Sequence, residues 1–273
     1  MTGIAAPASP APRRSAALLP AANSLVWPLA LVALMFVLHF SMVVWRGVNG
    51  DEFWFYNQVE MVARGEWIQP LQTIHTRALL WLPGLGGNAI EQIVVARMIM
   101  MGFLAVIAGG IYICAEHFTD RRTAILAVAA YLGAGFVLQH GTSFRVDPIV
   151  SALLMTGLAI TVRTRLEWPA ILAFGALMGL AAMVTIKVVL WLPVFAGFAL
   201  YRWYELGLSR TYPLRWVASA VVAGAVFAIV YALHSSGASP EANASAAGVL
   251  SRSSSKMFGL FHSPYMFLMA KAA

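Results

Sequence analysis

The chain has 273 residues, 60% of them hydrophobic and only 11% charged. A soluble domain carries roughly 25% charged residues, so this chain cannot cover a water-facing surface and much of it must meet lipid. The net charge of +7 does not point to nucleic acid, because the basic residues stand singly or in pairs between apolar runs, as topology and headgroup signals do; the single cysteine, Cys114, excludes an internal disulfide and a Cys-based metal cluster.

Positions 1–23 are rich in Ala, Pro and Ser, carry Arg13 and Arg14, and read as a disordered tail. The apolar run 25–45 exceeds a signal-peptide core of roughly 7–15 residues and matches the roughly 20 residues of a membrane span. The longest polar stretch, 46–92, follows, with Asp51, Glu52, Glu60, Glu66 and Glu91. Within it Phe55, Val59, Val62 and Trp67 recur at helical spacing, and Trp54, Tyr56, Trp67 and Trp81 supply interfacial aromatics. This pattern predicts an amphipathic helix on the membrane surface, ended by Gly65, then an irregular loop through Pro70 and Pro83 to Gly84, Gly86 and Gly87. Further spans are predicted at 93–115, 124–138 and 148–162. The stretch 168–204 is broken at Thr185-Ile186-Lys187 and reads as two short spans, and the last lies at 214–233.

The fold class expected is therefore all-α: a polytopic transmembrane helix bundle of about seven spans over 24–233, with an outer-face juxtamembrane amphipathic helix in its first loop. The tail 234–273 is rich in Ser, Ala and Gly, turns apolar at 257–268, and reads as the approach to a further span. The basic residues split evenly between the two sides. The paired arginines Arg13/Arg14, Arg121/Arg122 and Arg163/Arg165, with Arg202, Arg210 and Arg215, flank spans in short loops. They favour a cytoplasmic N-terminus in a multi-pass cell (inner) membrane. The acidic loop, the Arg145–Asp147 turn and Lys187 then share the outer face.

Three groups could carry chemistry. Asp51-Glu52 follows the first span, where partial desolvation raises a carboxylate towards general-base duty; an N-cap role for Asp51 explains it equally. Arg145-Val146-Asp147-Pro148 opens a span. There Asp147 suits an N-cap with Pro148 at the first helical position, and Arg145 either snorkels or holds a phosphate. Lys187 interrupts a long apolar stretch, where an intramembrane lysine costs about 2.5–3.5 kcal/mol; it is either a turn residue that sets topology or a cation for a lipid-linked phosphate. His75 and Arg77 lie in the outer loop within reach of a phosphate or acceptor, and Arg97 could pair with Asp51 or Asp147. His140 reads as interfacial. No metal-binding spacing, P-loop or Ser-His-Asp pattern is present.

In this order the residues resemble the integral-membrane GT-C glycosyltransferases, which include the bacterial aminoarabinose lipid A transferases, the protein O-mannosyltransferases and related family 39 proteins. Gly50-Asp51-Glu52, continuing through Phe55, Val59, Met61, Gly65, Glu66, Trp67 and Pro70, is similar to the family's acidic pair, helical segment and Gly-acidic-Trp-x-x-Pro ending. Arg145-Val146-Asp147-Pro148 resembles its second outer acidic site, and Thr185-Ile186-Lys187 its Thr-Lys turn. The resemblance covers about residues 24–205.

The resemblance implies transfer of a sugar from a polyprenyl-phosphate donor to a hydroxyl acceptor, with inversion. Asp51 and Asp147 would be the catalytic carboxylates, with Asp51 taking the acceptor proton. Glu52, His75, Arg77, Arg97, Arg145 and Lys187 would contact substrate, and Lys187, with Arg145 or Arg77, would stabilise the departing phosphate. A divalent cation is left open, because related transferases differ on metal dependence; membrane lipids are the other partner. Where many relatives have Lys-Pro-Pro in the first loop, this chain has His75-Thr76-Arg77-Ala78. Relatives are usually much longer, so the chain is expected to correspond to their N-terminal half. The alternative function is a non-catalytic membrane protein, such as a lipid-linked sugar transporter or an assembly partner.

Overall fold

A computed structural model describes residues 24–66 and 70–238, and all regular secondary structure among them is helical. Trp67, which the sequence places on the amphipathic stripe, lies outside the described residues, as do the tails 1–23 and 239–273. The described residues form ten α-helices in order: α1 (Val26–Trp45), α2 (Gly50–Ala63), α3 (His75–Ala78), α4 (Ala89–Phe118), α5 (Arg121–Gly133), α6 (Gly135–His140), α7 (Val146–Arg163), α8 (Trp168–Val184), α9 (Leu192–Glu205) and α10 (Thr211–Ser235). Short 3-10 helices occupy Leu82–Leu85 and Ile186–Trp191. Among the described residues five helical stretches are long and apolar enough to cross a membrane: α1, α4, α7, Ile186–Glu205 and α10. The apolar α8 is shorter, at 17 residues. The segment predicted as one span at 124–138 is interrupted at Ala134, between Gly133 and Gly135, and forms α5 and α6.

The helices stack as a row. α1 packs on α5, α5 on α4, α4 on α7, α7 on α8, and α8 on α10, while α9 leans on α7. Bundles in lipid lack a hydrophobic force between helices and rely on close approach over small residues. Gly175 and Gly179, one turn apart on α8, meet Val222 and the Ser219 and Ala223 carbonyls of α10, and Gly157 of α7 meets Phe174 and Met178. α1 buries only Pro28, His39 and Val43, and the fully buried His39 ring reaches the Leu132 carbonyl of α5 at 3.0 Å. Most of the rest of α1 is apolar and exposed, as a lipid-facing helix requires, while Val32, Met35 and Phe36 pack inward.

Local chemistry fixes the helix ends. Asn49, not Asp51, caps α2 through a capping box with Glu52, and Asn88 does the same for α4 with Glu91. α2 ends as predicted at Gly65, which sits at φ 79°. The amide of Glu66 donates to Met61 O at 2.8 Å and that of Gly65 to Val62 O at 3.1 Å, the pattern of a Schellman stop. Asp147 is not an N-cap either: Arg145 occupies that position, and Asp147 and Pro148 lie within the first turn of α7. The buried side of α2 is Glu52, Tyr56, Gln58 and Val59 rather than a purely apolar stripe, while Phe53 and Trp54 face outward.

At one end of the bundle the arginines of alternate loops gather. Glu116 pairs with Arg121 and Arg163, Arg202 pairs with Glu205 and reaches the Thr164 carbonyl, and Arg215 reaches the Arg165 carbonyl. The ends of α1 and α6 and the starts of α2, α4 and α7 meet at the opposite end.

Candidate active site

α2 presents its consecutive carboxylates in different directions, and each finds its own arginine. Glu52 and Arg97 are both fully buried. Arg97 Nε donates to Glu52 Oε1 at 2.8 Å and Nη2 to Oε2 at 2.7 Å. Its remaining donors go to the carbonyls of Val43 (3.1 Å), Arg46 (2.7 Å) and Gly47 (3.0 Å). All five guanidinium N–H groups are thereby used. Glu52 also accepts from Arg46, from the Asn49 amide and from the Phe144 amide at 2.9 Å. Burial pushes the Glu52 carboxyl up, but hydrogen bonds from Arg97, Phe144 and Asn49 and the Arg97 charge outweigh it, so its pKa lies below the usual value. The sequence suggested Asp51 or Asp147 as partner for Arg97; the structure pairs it with Glu52. With no exposed atom and no donor to spare, these two expected substrate contacts hold the end of α1, the start of α2 and the 142–145 turn together.

Asp51 faces outward. Its Oδ2 pairs with Arg145 Nη1 at 2.7 Å, Arg145 Nε donates to Asp147 Oδ2 at 3.0 Å, and Lys187 Nζ stands 3.6 Å from Asp147 Oδ1. Residues spread over more than half of the chain thus form one line of alternating charge. Asp51 and Lys187 retain about 60% of their side-chain exposure, so the line is open to a ligand. The Thr185 hydroxyl accepts from the Lys187 amide at 3.3 Å and fixes the turn that presents the lysine.

Two hollows flank this line. A groove of about 200 Å³ is lined by Ile107, Tyr131, Phe136, Val137 and Pro148, with Arg145 and Asp147 at its polar end. A more open cup of about 450 Å³ is lined by Arg46, Asn49, Asp51 and Gln139. His140 borders both. The first hollow suits hydrocarbon ending in an anion, and the second suits a hydroxylated group beside a carboxylate.

His75 and Arg77 serve a different contact. α3 lies against the end of α10, where Arg77 donates to His234 Nδ1 at 3.3 Å and Thr73 meets His234 Nε2 at 3.0 Å. His75 is buried edge-on against Phe55, with ring centroids 5.6 Å apart, and neither ring nitrogen has a hydrogen-bond partner among the described residues. Burial, aided by the nearby His234, pushes its pKa down to about 4. Among the described residues no three His, Cys, Asp or Glu side chains converge as metal ligands. A divalent cation at the charged line would meet two carboxylates with the Arg145 guanidinium already between them.

Reading the sequence missed Arg46, His234 and the Phe144 amide, all defined by tertiary contact, and took His140 as interfacial rather than as a lining residue of both hollows. The Asn-x-x-Glu capping signature of Asn49 was legible, although Asp51 competed for the same role. No protein-family model, no curated protein and no solved structure matches the chain.

Proposed function

We propose that the chain is an inverting membrane glycosyltransferase, taking a sugar from a polyprenyl-phosphate donor and passing it to a hydroxyl of a lipid, glycan or protein. The observation that carries this reading is the line Asp51–Arg145–Asp147–Lys187 beside an apolar groove. A phosphate leaving group needs cations, a hydroxyl nucleophile needs a carboxylate, and a lipid-linked donor needs both where hydrocarbon meets water.

In this mechanism the polyprenyl chain lies in the groove and its phosphate meets Arg145 and Lys187. The acceptor hydroxyl enters the cup and gives its proton to Asp51. Its oxygen attacks the anomeric carbon from the face opposite the phosphate. The bond from that carbon to the phosphate oxygen breaks, and the electron pair leaves on polyprenyl phosphate. Asp147 holds Arg145 and Lys187 in register. The N-terminus lies in the cytoplasm, the arginine-rich end of the bundle faces it, and the site opens at the outer face of a cell membrane crossed about seven times. A transporter would gather its polar groups near the bilayer midplane, whereas these charges sit at helix ends.

The test uses membranes containing the protein and a labelled polyprenyl-phosphate sugar. Asp51→Asn abolishes transfer with expression intact; transfer at the normal rate by that variant removes Asp51 as the base.

A further inference from the structure

We propose that Arg145 is an exchange switch: without donor it neutralises Asp51, and a lipid phosphate arriving in the groove takes the guanidinium and frees Asp51 to accept a proton. This rests on the glycosyltransferase reading and adds an order to it, donor before acceptor activation.

The geometry supplies the competition. Arg145 lines the groove, Asp51 lines the cup, and the 2.7 Å ion pair joins them. Arg145 Nε is held by Asp147 at 3.0 Å, so the guanidinium pivots on that contact. Its Nη2 has no partner among the described residues, while Nη1 is on Asp51. Arginine grips phosphate best with two parallel N–H bonds, and the Nη1–Nη2 edge offers these once Nη1 lets Asp51 go. At 2.7 Å Asp51 Oδ2 is committed to the guanidinium, so an incoming hydroxyl meets an oxygen that already holds an N–H donor. Release of Arg145 leaves Asp51 Oδ2 open to the acceptor hydroxyl at the moment the donor is in place.

The chemical step drives the exchange further in the same direction. The acceptor O–H proton passes to Asp51, which loses its charge and its hold on Arg145. The bond from the anomeric carbon to the phosphate oxygen breaks, and the phosphate gains the charge that Asp51 lost. No other reactant is needed.

A double-mutant cycle read by equilibrium binding tests this. Purified protein in nanodiscs is titrated with a polyprenyl phosphate, with the matching polyprenol as control. Arg145→Gln weakens binding about tenfold. Asp51→Asn strengthens it about two- to fivefold, the range of a partly exposed ion pair, because a competitor for Arg145 is gone. In the Arg145→Gln background that gain disappears. If Asp51→Asn gains equally in both backgrounds, removal of negative charge alone is responsible and the switch is overturned; no gain in either background overturns it too. Should Arg145→Gln not fold, Arg145→Met, which removes the cation but keeps the length of the side chain beside the apolar groove, must likewise erase the gain. Wild-type protein that binds polyprenyl phosphate no better than polyprenol overturns the glycosyltransferase reading itself.

Discussion

Removing the charge of Glu52 while keeping its shape, as Glu52→Gln does, leaves Arg97 fully buried with an uncompensated positive charge. Breaking a buried pair in this way costs about 3–5 kcal/mol. For a domain of this size each kcal/mol is worth roughly 2–4 °C, so Tm falls by about 6–20 °C. The upper half of that range is expected, since Glu52 also accepts from the Phe144 and Asn49 amides and from Arg46. Replacing both partners, as in Glu52→Gln/Arg97→Met, removes the stranded charge and recovers part of the loss. Recovery is incomplete because the carbonyls of Val43, Arg46 and Gly47 lose their donor. Thermal unfolding in detergent, followed by intrinsic fluorescence, reads both effects. A Glu52→Gln protein melting within a degree or two of wild type refutes the view that this pair holds the α1–α2–α4 junction, and a double variant worse than the sum of the singles refutes the stranded-charge explanation.

Other outcomes follow from the same packing. His75 has a folded pKa of about 4 against an ordinary 6.5. The unfolded chain therefore binds the proton first, and the stability held above pH 6.5 is lost progressively as pH falls towards 4. At 1.36 kcal/mol per unit this is about 2 kcal/mol between pH 7 and pH 5; pH-resolved melting of wild type against His75→Phe checks it, and equal slopes exclude His75 as the source. A methyl group at Gly175 would lie 2.6 Å from Val222 Cβ and 2.9 Å from the Ser219 carbonyl, and one at Gly179 2.6 Å from the Ala223 carbonyl. Gly175→Ala or Gly179→Ala is expected to cost about 1–3 kcal/mol by overpacking, whereas Gly197→Ala, with nothing within 4 Å, is neutral or slightly stabilising. Unchanged melting of the α8 variants would show that α8 and α10 are not closely packed.

The helices were legible because lipid enforces a simple rule: every buried backbone group is satisfied within its own helix, so apolar length alone marks a span. The break at Thr185 was legible for the converse reason, since Lys187 is costly inside an apolar stretch. The division of α5 from α6 was not, because apolar residues continue through Gly133, Ala134 and Gly135 and only the backbone departs from the helix. Partner choice was the least legible. Arg97 and Glu52 are 45 positions apart, and only the choice between Asn49 and Asp51 as cap distinguishes Glu52 from Asp51 as the buried member. The cap of α2 decides it: with Asn49 at the N-cap, Glu52 falls at the third position and must fold back to the Asn49 amide, which turns it inward and leaves Asp51 outside.

That cap also couples architecture to chemistry. Glu52 accepts from the amide of Phe144, the residue immediately before Arg145. The buried carboxylate therefore fixes the backbone from which the exposed arginine reaches Asp51 and Asp147. Two adjacent acidic residues would repel in a shared environment. Here each has its own cation, with Arg97 at 0% exposure and Arg145 at 21%. Burial assigns the roles: a saturated, water-free pair has no donor to offer a substrate, whereas a half-exposed pair can be taken apart and remade. Disturbing the inner pair should displace the outer one, so Glu52 affects the chemistry of Asp51 through Phe144 without touching a substrate itself.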